Sequence, residues 1–124
     1  MTTRAFGQVV PLQIFMLMLA GYGPSEDLGF RDIEKKVGYD DQVTAMIEGL
    51  KQLQDETGRN LGFSLSGWHE FLMKDQVLSE QYMHPYAWKG VRQAILAEIN
   101  NSDREALETE AEKRFPEVST AKLL

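Results

Sequence analysis

Cysteine is absent from the 124 residues, and that one absence removes thiol nucleophiles, CxxC redox pairs, iron–sulfur clusters and thiolate zinc sites together. It also suits a reducing compartment, so the expected location is the cytoplasm. Positive charge is scarce: thirteen Lys and Arg stand against nineteen Asp and Glu, a net charge of −6. The basic residues are scattered, with Lys35–Lys36 and Lys113–Arg114 the only adjacent pairs. Nucleic acid and anionic membrane are therefore disfavoured partners. No apolar run reaches the ~20 residues of a spanning helix; the longest, Val9 to Ala20, stops at Gly21, Tyr22, Gly23 and Pro24. As a signal peptide this run lacks a basic region beyond Arg4 and carries Met18 where a small residue is needed.

What the run does have is apolar character all round. Between Pro11 and Leu19 only Gln13 is plainly polar, so a helix here has no face to offer water and must be wrapped by other helices or by a second subunit. Pro11 suits its first position, where a missing N–H costs nothing. A single domain over residues 1–124 is expected, long enough to bury roughly two thirds of its unfolded surface.

The rest of the chain reads as helices punctuated by single glycines and prolines. Phe30, Ile33 and Val37 fall at helical spacing in a short second helix, opened by Ser25 or Asp27 and ended by Gly38. Asp40 is placed to cap a third, with the stripe Val43, Met46, Ile47, Leu50 and Leu53 and with Gly58 as terminator. Leu61, Phe63 and Leu65 alternate with Gly62 and Ser64, a period that allows one short strand at 61–65. Ser66 then opens a helix bearing Trp68, Phe71, Leu72, Leu78 and Tyr82. Asp75 lies on its apolar stripe, so either the helix breaks near Lys74 and Asp75 caps a new start, or a carboxylate is buried as a candidate general acid. A fifth helix from Tyr86 to Ile99 turns Trp88, Val91, Ile95 and Ile99 inward. Ser102 and Glu105 stand at capping-box spacing before a thin, peripheral last helix that Pro116 closes. The expected fold is thus all-α or nearly so, with five to six helices around a central apolar N-terminal helix.

Chemical motifs fail on spacing. His69–Glu70 opens a zinc-protease pattern, but its second histidine would have to be residue 73, which is Met. A di-iron centre needs two Glu-x-x-His pairs, and Glu80 and His84 are four apart with no second pair. The phosphate-loop flavour of Gly21 to Ser25 is opposed by Glu26 and Asp27 and by the lack of a following lysine. No metal, cofactor or catalytic site is expected.

The segment from Leu12 to about Leu72 resembles a winged helix-turn-helix: an apolar first helix, a second from Gly29 to Val37, a turn at Gly38, Tyr39 and Asp40, a third helix, and a strand at 61–65 in the place of a wing. The resemblance implies a DNA-binding transcriptional regulator. Against it, the would-be recognition helix begins Asp40, Asp41, Gln42 and has no Arg or Lys before Lys51.

Around Pro85 the chain gathers Tyr82, Met83, His84, Tyr86 and Trp88. Rigid amphipathic rings of this kind form interface hot spots at little entropic cost. Tyr82, His84 and Tyr86 are accordingly the expected partner-binding residues, with Tyr86 foremost because it falls off the inward stripe of its helix. The leading expectation is a non-catalytic protein-interaction module with an acidic surface, such as an adaptor, inhibitor or regulatory subunit. Its two short or thin helices leave helix one incompletely sheathed, which points to a homodimer.

Overall fold

The computed structural model describes residues 3–4, 9–25 and 29–115, with side chains placed over 9–23 and 33–115. In chain order the elements are β1 (Thr3–Arg4), α1 (Pro11–Leu19), β2 (Tyr22–Ser25), β3 (Gly29–Lys35), α2 (Tyr39–Thr57), α3 (Leu65–Lys74), α4 (Leu78–Tyr82), α5 (Trp88–Ile99) and α6 (Arg104–Arg114). The fold is mostly helical, with a small antiparallel sheet ordered β1-β3-β2. Helix α1 lies at the centre: Leu12, Gln13, Met16, Leu17 and Leu19 are all buried, and α2, α3, α4, α5 and β2 pack against it.

An apolar helix still has polar ends, and two side chains satisfy them, one from the helix itself and one from far along the chain. At the N-terminus the Gln13 carbonyl accepts from the Val10 N–H at 3.1 Å. At the C-terminus Arg104, 5% exposed, donates from Nη2 to the Leu19 carbonyl at 2.9 Å. That bond places a cation where the last carbonyls of α1 point, the negative end of the helix dipole. Glu108 accepts from Arg104 Nε at 2.7 Å and holds it there.

Helix α2 carries the expected stripe, with Val43, Met46, Leu50 and Leu53 buried and Ile47 half-buried. It ends at Gly58, whose φ of +70° is the left-handed cap conformation. Its N-cap is Gly38, so Asp40 and Asp41 fall in the first turn and complement the helix dipole instead of capping. Gly49 is where α2 meets α1. A Cβ there would stand 2.6 Å from the Leu19 backbone nitrogen and 2.9 Å from the Phe15 carbonyl oxygen. Backbone cannot swing aside, so Gly49→Ala should cost about 2–3 kcal/mol by overpacking, against a helix-propensity gain of about 1 kcal/mol. A melting temperature equal to the parent's would remove the close contact.

The segment with the spacing of a second helix is strand β3. Gly21, at φ +99°, turns the chain out of α1, and β2 then needs backbone partners, which β3 supplies from Tyr22↔Lys35 through Pro24↔Ile33. Ile33 is buried but Val37 is 79% exposed, so the helical spacing of that pair marks no common face. The Phe30 side chain and Asp27 lie outside the described residues. Losing this helix removes the first half of the helix-turn-helix layout. The place of the wing is also not a strand: Gly62 sits at φ +67°, and its backbone is taken by side chains, its N–H by Asn60 at 3.0 Å and its carbonyl by Trp68 Nε1 at 2.8 Å. Residues 61–64 are a turn, and the cap of α3 is Ser64, not Ser66, its hydroxyl accepting from the Gly67 N–H. Ahead of α6 the Ser102–Glu105 box does not form; Asp103 is the N-cap, and Asn101 accepts its N–H at 2.9 Å. Leu107 and Ala111 dock α6 on α2, at the periphery.

Candidate docking site at the α4–α5 junction

Asp75 breaks the chain's fourth helical pattern in two. Its Oδ1 accepts from the N–H groups of Val77 and Leu78, both at 2.9 Å, so it caps the turn into α4. Those two bonds hold the carboxyl below its ordinary range. The alternative of a buried, proton-holding acid is excluded at this position.

The short α4 then turns Tyr82 into the core. Its hydroxyl meets His69 Nδ1 at 2.7 Å, and its ring lies edge-on to Trp88 with centroids 5.0 Å apart. Burial pushes the phenol's proton affinity up. His69, 8% exposed, stacks on Trp88 at 6.3 Å and an interplanar angle of 20°. Tyr82 is itself 0% exposed, so it leaves the expected docking set: no partner can touch it. The apolar spacing from Trp68 to Tyr82 is a partial signal of that burial, because the helix it implies is broken at Asp75 and the short α4 sets where Tyr82 points.

After Tyr82 the backbone is held from the far side of the core. The Gln13 amide donates from Nε2 to the Tyr82 carbonyl at 3.0 Å and to the His84 carbonyl at 3.2 Å. One side chain of the central helix thus holds the last carbonyl of α4 and the second carbonyl of the connection that follows it. His84 is half-buried, and its ring packs edge-on against Tyr86 with centroids 5.0 Å apart. Tyr86 is 72% exposed. Beyond it the chain returns to the core, at Ala87 ahead of α5 and at Val91 within it. The junction therefore brings His84 and Tyr86 together at the surface and sends Tyr82 inside. Gln13 is the residue to which sequence reasoning assigns no role, although a lone amide in an apolar helix must find buried partners.

A second feature flanks the core helix. Pro11, Ile14, Phe15, Met18 and Gln52 line an open cleft of about 380 Å³ beside α1 and α2. Among the described residues no group of three His, Cys, Asp or Glu is placed to hold a metal ion, and no helix is long and apolar enough to cross a membrane. On α2, the helix that would have read DNA, the one basic residue is Lys51, paired with Glu48 at 3.6 Å and lying over the Phe115 ring. Compared with family models, curated proteins and solved structures, the chain matches none.

Proposed function

We propose that this chain is a protein-binding module of the cytoplasm, an adaptor, inhibitor or regulatory subunit without chemistry of its own, that grips its partner through His84 and Tyr86. The observation that carries the reading is a 72% exposed tyrosine whose ring rests on a histidine tied by its backbone to the central helix. An aromatic held in place before binding loses little entropy on docking, the property that makes Tyr a frequent hot-spot residue. The acidic balance of the chain suits a partner with a basic rim around the pocket that takes the ring.

Differential capture tests the reading. The tagged chain and its Tyr86→Ala variant are exposed to the same extract, and bound proteins are quantified by mass spectrometry. The expected result is a protein recovered at least tenfold less by the variant, and identical recoveries would dismiss Tyr86 as an anchor. Self-association belongs to the same proposal, because the cleft beside α1 is apolar and open. Light scattering at tens of micromolar should give a dimer mass; a monomer mass ends that part.

A further inference from the structure

Histidine is the side chain whose charge ordinarily changes between pH 5 and 8, and His69 is built into the core behind the His84 ring on which Tyr86 rests. His69 sits where α3, α4 and α5 meet. From α4 it faces the Tyr82 hydroxyl; from α5, the Trp88 ring and the Arg92 charge; from its own helix, the Glu70 charge. Helix α1, which also packs on α3, has no titratable side chain. Neutral His69 can accept the Tyr82 proton at Nδ1. Once protonated, both ring nitrogens carry hydrogen, and Nδ1 can only donate. The Tyr82 hydroxyl would then keep a proton with nowhere to place it, since among the described residues His69 is its one hydrogen-bond partner. Tyr82 is in turn tied through Gln13 to His84, on which Tyr86 rests.

We propose that the α4–α5 junction is an acid-sensitive latch: protonation of His69 frees Tyr82 from the core and withdraws the surface formed by His84 and Tyr86. The functional consequence rests on the docking role proposed above; the opening itself does not. Linkage sets the direction. Burial first, then Arg92, lowers the His69 proton affinity in the closed state, and Glu70 only partly offsets them. The open junction returns the ring to water and to its ordinary value of about 6.5, so the open form binds the proton better. Opening is therefore favoured as pH falls below that value and ceases to grow once the closed form is protonated too.

Hydrogen exchange of the full chain at pH 7.5 and pH 5.0, corrected for intrinsic rates and with α2 as internal reference, tests the latch without any partner. Protection over residues 82–87 should fall about tenfold or more relative to α2. In His69→Gln, whose carbonyl can still accept from Tyr82 but cannot charge, most of that fall should vanish; His84 is unchanged there, so the comparison isolates His69. No fall, an equal fall in α2, or the same fall in His69→Gln overturns the proposal. Should His69→Gln not fold, Tyr82→Phe serves: without a hydroxyl to strand, the acid-dependent fall should shrink, and an undiminished one overturns it. A latch that opens on a chain whose Tyr86→Ala variant binds normally would refute the docking role and leave the latch standing.

Discussion

Leu17→Asp is expected to leave no cooperatively folded protein at 25 °C. Leu17 is 0% exposed in the helix around which the other elements pack. An aspartate there must either carry a charge out of water or take up a proton far above its ordinary range, and it also forfeits the packing of a leucine. Either route costs about 5 kcal/mol or more, against a total stability of about 5–15 kcal/mol for a domain. Thermal melting followed by circular dichroism reads the outcome. A variant that melted within a few degrees of the parent would mean that α1 is not central.

Gln13→Leu is expected to be the most damaging change that adds no charge and keeps the side chain of similar size. The amide makes three bonds, accepting from Val10 N–H and donating to the carbonyls of Tyr82 and His84. A leucine would sit comfortably among Leu12, Met16 and Leu17, so the cost comes from the partners left behind. Stranding a fully buried backbone group costs about 1–3 kcal/mol; with the Tyr82 carbonyl buried and the Val10 N–H and His84 carbonyl part-buried, the sum is on the order of 3 kcal/mol. For a chain of this length that corresponds to a melting temperature lower by about 10 °C. Exchange protection at Met83 and His84 should fall with it. If the leucine variant were as stable as the parent, Gln13 would be an incidental polar residue and the junction would be held by packing alone.

Those two residues also mark how far the sequence can be read. The apolar run, Pro11 at its start, the stripe of α2 and the Gly58 terminator are local signals, each decided within a few residues, and each is found in place. Strand β3 escapes such a reading because Phe30, Ile33 and Val37 have helical spacing, whereas the backbone partner that makes the segment extended is a separate strand, β2. Tertiary pairing outweighs a weak local period. Arg104 reads as one more charge on a polar helix, yet its bond to Leu19 spans 85 positions. The Gln13 bond to Tyr82 spans 69. No local pattern encodes contacts at that separation. At the junction the aromatic cluster is legible as a group, and stripe position correctly separates Tyr86 from Trp88. The division of labour between Tyr82 and Tyr86 needs the short α4, whose start is set by Asp75.

Tyr86, in the docking role proposed for it, is an anchor that the fold presents and does not itself need. Its direct test is a titration of the purified partner against the parent chain and Tyr86→Ala, with melting temperatures measured on the same samples. Truncating an exposed side chain should leave stability within about 0.5 kcal/mol, while loss of a hot spot should weaken binding by at least about tenfold. The predicted result is a dissociation constant raised tenfold or more with an unchanged melting temperature. A lowered melting temperature with unchanged affinity would return Tyr86 to the core and contradict the proposal.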